Sequence, residues 1–296
     1  MTWHHRDVPI DADLQAAYLR RLGLDAERPS ADALRRLHRA QVERVPYETM
    51  WIHAGEPWGI EPADSVARVA LQGRGGYCFH LNGAFSELLA SLGYDVVRHL
   101  GGVHGPGGPD VEMLSNHLVL TVSSLVTDDN PSGVWYVDVG LGDALYEPVP
   151  LAGCAFDQGP FHLVLEEADD GVGDWHLTHD PSGSFSGMSW RSASVDMPAF
   201  ADRHVWLSTS PDSGFVRVAT AQRRDATGVD IMRGLVLTRV GEGAAPSDPM
   251  TERADWFSAL ADVFGLHLRG SSPAARDRLW ERTLAAHETW EAAGRP

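Results

Sequence analysis

Residues 74–89 read Arg74-Gly75-Gly76-Tyr77-Cys78-Phe79-His80-Leu81-Asn82-Gly83-Ala84-Phe85-Ser86-Glu87-Leu88-Leu89. A glycine pair followed by Leu81, Phe85, Leu88 and Leu89 at helical spacing predicts a helix that opens at Cys78 and closes at Gly93. A cysteine in that place meets unpaired backbone N–H groups and the positive end of the helix dipole, both of which favour a thiolate. Free cysteine is, as a class, more often a packing residue. Position alone therefore makes Cys78 a candidate nucleophile and no more.

On the N-terminal side of this helix the chain reads helical twice more. Leu14, Ala17, Tyr18 and Leu22 follow Asp11, and Leu34, Leu37 and Val42 follow Ser30, each run behind an acceptable N-cap residue. On the C-terminal side the pattern changes to short β-rich runs at Asp95 to Leu100, His117 to Leu125, Val134 to Val139 and Phe161 to Leu165. Gly- and Pro-rich breaks separate them, and antiparallel pairing is expected. A further strand pair is expected at Phe215 to Ala221 and Leu235 to Val240, before two helical runs around Trp256, Leu260 and Phe264 and around Leu279, Leu284, His287 and Trp290.

The whole chain, at 296 residues, is long enough to bury a core without staples. Its two cysteines, Cys78 and Cys154, are too few for a disulfide framework or a thiolate metal site. Cys154, within Ala152-Gly153-Cys154-Ala155, reads as a loop residue with a structural role. No stretch approaches the roughly 18 apolar residues of a membrane span, and Met1 to Ile10 carry His4, His5, Arg6 and Asp7 where a signal peptide would be apolar. A cytoplasmic protein is expected, with no membrane partner. The net charge of −17 argues against a nucleic-acid footprint. The 14 histidines lack the paired spacing of a helix-borne metal site, so no metal is expected. All 24 basic side chains are arginine, and none lies between His99 and Trp190.

Two strands supply partners for the cysteine. His117 opens the run His117-Leu118-Val119-Leu120-Thr121-Val122, and Asp138 sits between Val137 and Val139 in the next strand, where a buried carboxylate needs a partner. Consecutive antiparallel strands bring the two within reach of each other, to within a residue or two of register. With Cys78 they form an ordered Cys, His, Asp set. In such a set the imidazole takes the thiol proton and the carboxylate fixes the imidazole.

Around these residues the sequence resembles the arylamine N-acetyltransferases. Arg74-Gly75-Gly76-Tyr77-Cys78-Phe79 with Asn82-Gly83 is similar to the nucleophile motif of that family, and Asn116-His117-Leu118-Val119-Leu120 to its histidine strand. Val137-Asp138-Val139-Gly140-Leu141-Gly142-Asp143 resembles its aspartate strand and glycine turn, and Arg44-Val45-Pro46-Tyr47-Glu48 its N-terminal motif. Ser210-Pro211-Asp212-Ser213-Gly214-Phe215 more weakly resembles the start of its third domain. The resemblance implies an α+β fold: a helical bundle over 1–93 with the cysteine, an antiparallel β-barrel over 94–195 with the histidine and aspartate, and an α/β lid over 196–296. It also implies no permanently bound cofactor. It further implies that acetyl-CoA acylates Cys78 in a ping-pong reaction and that an arylamine, hydrazine or N-hydroxyarylamine takes the acyl group.

Two positions depart from the family pattern: His80 stands where an acidic residue is usual, and Leu141 replaces the aromatic of a Gly-Phe-Gly turn. The loss of that aromatic bears on the acceptor. The arginine-free middle bears on the donor, because coenzyme A phosphates favour arginine forks. The expected donor site therefore draws on Arg223 and Arg224, with Gly140 and Gly142 admitting the neutral arm and Ser210 and Phe215 carried over from the resemblance. Three other readings stand beside acyl-CoA-dependent transfer: an amide synthase that takes its acyl chain from a carrier-protein thioester, a transglutaminase-like thiol hydrolase, and a non-catalytic binding protein.

Overall fold

The computed structural model describes residues 10–293, apart from Asp170 and Pro246; the expectation resting on Met1 to Pro9 lies outside the described residues. The first two helices form where their caps are. Asp11 accepts from the Leu14 N–H at 2.8 Å at the head of Ala12–Leu22, and Ser30 accepts from the Ala33 N–H at 3.1 Å at the head of Ala31–Arg44. The helix Cys78–Ser91 follows, and every residue from Cys78 to Leu89 is buried. It is enclosed on all sides, not only on the face that its leucines mark.

The middle of the chain forms one eight-stranded antiparallel sheet. Its order is Val149–Pro150, Trp135–Val137, His117–Ser123, Asp95–His104, Gly187–Ser194, Trp175–Thr178, Phe161–Glu167, Cys154–Gln158. The two edge strands are separated in sequence only by residues 151–153, so the sheet must curl until its edges nearly meet. Cys154 begins the last of these strands, which corrects its reading as a loop residue: an edge strand with only half-buried or exposed positions has little apolar alternation to betray it.

Strands Thr220–Arg224, Gly228–Arg233 and Val236–Gly241 form a second antiparallel sheet, to which the short strand Tyr47–Glu48 adds an edge. The expected strand at Phe215 to Ala221 therefore starts later. Gly214–Arg217 is a helical turn, capped by Ser213, whose Oγ accepts from the Phe215 N–H at 3.2 Å. Helices Arg253–Phe264 and Pro273–Ala292 cover this sheet through Trp256, Leu260, Phe264 and Leu279, and Met50 and Ala54 from the N-terminal part join the same apolar cluster.

These layers position the site because one core joins them. Leu81, Phe85, Leu88 and Leu89 of the cysteine helix pack with Tyr18, Leu22 and Leu34 on one side and with Leu120, Val122, Trp135 and Val137 of the curled sheet on the other. The fold is α+β. Among the described residues no helix is long and apolar enough to cross a membrane.

Candidate active site

Tyr77, extended at φ −97° and ψ −172°, breaks the chain before Cys78, and no side chain caps the helix that begins there. Cys78 is thus the first residue of the helix, where the N–H groups lack intrahelical partners and the positive end of the dipole favours a thiolate. Cys78 is 4% exposed, and its Sγ lies 3.6 Å from the Asn116 carbonyl oxygen.

The sheet register places the other two groups. Leu120 pairs with Val137, so the start of one strand faces the residues just beyond the end of the other. There His117 Nε2 meets Asp138 Oδ2 at 2.7 Å, with the two residues 2% and 1% exposed. Cys78 borders the same cleft as this ring and lies near enough for its charge to act on it. Burial alone would push the imidazolium pKa down. The Asp138 carboxylate and Cys78 more than reverse that and raise it from 6.5 to about 10.

Asp138 is held by more than histidine. Its Oδ1 accepts from Asn82 Nδ2 at 2.8 Å and from the Gly140 N–H at 2.9 Å, and its Oδ2 accepts from the Tyr136 hydroxyl at 3.1 Å. Asn82 also donates to the Leu118 carbonyl at 2.6 Å and accepts from the Val139 N–H at 2.9 Å, so one side chain braces both strands. In the sequence Asn82 stands out only as a motif residue, and Tyr136 only as one residue of the Asp138 strand. Their signals were spacing: Asn82 is one helical turn beyond Cys78, and Tyr136 shares a strand face with Asp138.

Gly140 fits because nothing larger does: a Cβ there would lie 2.7 Å from Cys78 Cα and 2.9 Å from Asn82 Nδ2. The glycine turn is thus pressed onto the start of the cysteine helix. Cys78, His117, Gly140 and Leu141 border a cleft of about 310 Å³ that Phe185, Phe215, Gln222 and Arg233 also line. A second chamber of about 570 Å³ continues from it, sharing Ser184, Val218, Thr220, Gln222 and Arg233, and reaches His287 and Trp290 of the last helix.

The structure brings some expected donor residues to this cleft and others not. Gly140 and Phe215 line it, whereas Gly142 packs on Gln222 and Ser210 ends the helix Ala201–Thr209. Arg224 is the clearest correction. It is 1% exposed, it donates to the carbonyls of Ala144, Gln158, Asp225 and Gly228, and it stacks over Tyr146 and Phe161. Those carbonyls occupy the guanidinium inside the protein. Arg223 is drawn to Asp230, 3.9 Å away, and lies outside the cleft lining. The arginine that borders both chambers is Arg233.

A strand-borne imidazole and carboxylate beside a helix-start thiol form an arrangement that thiol transferases and thiol hydrolases both use. Comparison with known proteins decides between them: a family model described as N-acetyltransferase matches residues 30–272. The chain belongs to the arylamine N-acetyltransferase family, and it is a transferase. It is 27% identical over 263 residues to the arylamine N-acetyltransferase of Mycolicibacterium smegmatis, covering 85% of this chain and 91% of that one. It is also 32% identical over 162 residues to the proansamycin X synthase of Amycolatopsis mediterranei, covering 51% of this chain and 58% of that one. The solved structure of the Mycobacterium marinum arylamine N-acetyltransferase in complex with CoA superposes with a TM-score of 0.79 at 24% identity, covering 92% of this chain and 99% of that one.

Proposed function

We propose that this protein transfers an acetyl or other small acyl group from a CoA thioester to an arylamine, hydrazine or hydroxylamine through an acyl-enzyme on Cys78. The observation that carries the reading is the buried His117–Asp138 pair at 2.7 Å, with His117 lining the same cleft as Cys78. The pair is able to hold a thiolate and an imidazolium side by side. The thiolate attacks the thioester carbonyl, the Cys78 N–H faces the developing oxyanion, and the departing CoA thiolate leaves with the His117 proton. Neutral His117 then removes a proton from the attacking amine, and the second tetrahedral intermediate collapses to the amide and the Cys78 thiolate. Asp138 stabilises the ring whenever it is charged.

The named activity of the M. smegmatis relative and the CoA in the M. marinum structure support this donor and acceptor. Both cysteines are free, which suits a reducing, cytoplasmic setting. Intact mass after incubation with acetyl-CoA tests the reading. Wild type and Cys154→Ala should gain one acetyl group and lose it on adding an arylamine, while Cys78→Ala should gain none. Acylation of Cys78→Ala at the wild-type rate would sink it.

A second reading, amide synthesis from a carrier-bound acyl chain, is favoured by the chamber of about 570 Å³ beyond the cleft, which offers space that an acetyl group does not need. A relative is named a synthase, proansamycin X synthase, and not an N-acetyltransferase. Competition between acetyl and long-chain thioesters for Cys78 separates the two.

A further inference from the structure

The turn from Asp180 to Ser186 joins strands Trp175–Thr178 and Gly187–Ser194, and none of the chemistry above uses it. Its Ser184 and Phe185 nevertheless border the cleft beside Cys78, His117 and Leu141. A surface turn would ordinarily be free to move, but this one is tied down. Asp143, 1% exposed, accepts from the Ser184 N–H at 2.6 Å on Oδ2 and from the Ser184 hydroxyl at 3.0 Å on Oδ1. Asp143 directly follows the glycine turn that is pressed onto Cys78, so the position of the 180–186 turn is referenced to the nucleophile.

Inside the turn a second set of contacts fixes Phe185 itself. The buried His179 ring stands edge-on to Phe185, with centroids 4.4 Å apart and planes at 89°, and edge-on to Phe161 at 5.0 Å. A Cβ on Gly183 would fall 2.3 Å from the His179 ring, so the glycine lets the imidazole lie against the turn. Phe185 packs on the apolar cluster that contains Leu141, yet it is only half-buried. Its remaining ring surface is available to the cleft. The other aromatic side chains of the lining besides His117, Tyr47 and Phe215, are half-buried as well, and both edge toward the cluster around Tyr77 and Trp51, Phe215 lying against Tyr77 at 5.2 Å.

We infer that Phe185 is a specificity-determining residue: the pinned aromatic wall against which the ring of an arylamine acceptor stacks while its nitrogen faces acyl-Cys78. The inference rests on the acyl-enzyme reading. Asp143 is the positioning residue that holds the wall, and Leu141 supplies only aliphatic contact next to it. An aromatic pair gains from offset or edge contact that an alkyl amine cannot make, so the wall favours aryl over alkyl acceptors.

The two half-reactions of Phe185→Leu, Phe185→Tyr and Phe215→Leu, followed by mass and by stopped flow, provide the test. Phe185→Leu should still form the acyl-enzyme from acetyl-CoA. Its kcat/KM for an arylamine should fall about two- to tenfold, through KM, and should be unchanged for an alkyl hydrazine. Phe185→Tyr should keep the aryl preference. Equal losses for both acceptors, no loss with the arylamine, or a loss confined to Phe215→Leu would overturn the inference. Should Cys78 fail to acylate even in the wild type, the function itself is misread, and ligand-observed NMR still tests the wall: an arylamine should bind Phe185→Leu more weakly than wild type, and equal binding overturns it.

Discussion

Asp138 meets hydrogen-bond donors on both oxygens, from His117, Asn82, Tyr136 and the Gly140 N–H. Such a carboxylate both orients the imidazole and keeps it charged. In Asp138→Asn one oxygen becomes an NH₂ group that cannot accept, and the charge is lost. Acylation of Cys78 should slow by about 10⁴-fold, as in a serine triad, and the His117 pKa should fall from about 10. Single-turnover kinetics and NMR of the ring protons check both; near-normal acylation would make the aspartate purely structural. Gly140→Ala should also fail, because its Cβ would collide with Cys78 Cα at 2.7 Å and backbone atoms cannot rotate away. A stability loss of about 1–3 kcal/mol is expected with it, read from urea unfolding. Cys78, His117 and Asp138 could be singled out in the sequence because each has a local signature: a glycine-preceded helix start, a strand opening, and a charge between valines. Asn82 has only its spacing from Cys78, and Phe185 has no signature at all, since what it touches comes from other strands and turns.

Among the elements, the cysteine helix was legible because a glycine pair and a glycine stop bracket it. Strand Gly228–Arg233 was not, because its buried positions fall on both faces and hide the period of two. The edge strand Tyr47–Glu48 is too short for any pattern, yet it holds the turn before the cysteine helix in place. Arg74, 2% exposed, forms a two-pronged pair with Glu48, 0% exposed, at 2.8 and 3.1 Å, and reaches Glu56 at 3.1 Å. Burial alone would lower the guanidinium pKa, and the glutamates reverse that. Glu48→Ala would leave a buried cation with half its partners. A loss of about 3–5 kcal/mol is expected, visible in denaturant unfolding, with Glu48→Gln milder because it still accepts one hydrogen bond. Equal, small losses for both variants would mean that Arg74 finds water.

For the whole molecule, the charge distribution and the site's proton set the testable consequences. Arg233, just beyond the arginine-free middle of the chain, borders the cleft and the chamber beyond it. Arg233→Glu should raise KM for acetyl-CoA several-fold and leave acylation by a small uncharged aryl ester unchanged. A like response to both donors would end the charge argument. The raised His117 pKa also links pH to stability. Its folded value of about 10 exceeds the ordinary 6.5, so its contribution is complete below about pH 6.5 and declines until it is lost above about 10. Wild-type unfolding free energy should fall across that window, and His117→Gln should show a flatter profile there.

The curled sheet has a practical side as well. From His99 to Trp190 it holds no arginine or lysine, with Arg98 just before and Arg191 just after. Trypsin, which cuts only after basic residues, therefore releases residues 99–191 as one large fragment carrying Cys154, and residues 75–98 as a separate peptide carrying Cys78. A single digest places each thiol on its own peptide. The location of an acyl group can then be read from fragment masses, without either cysteine being replaced.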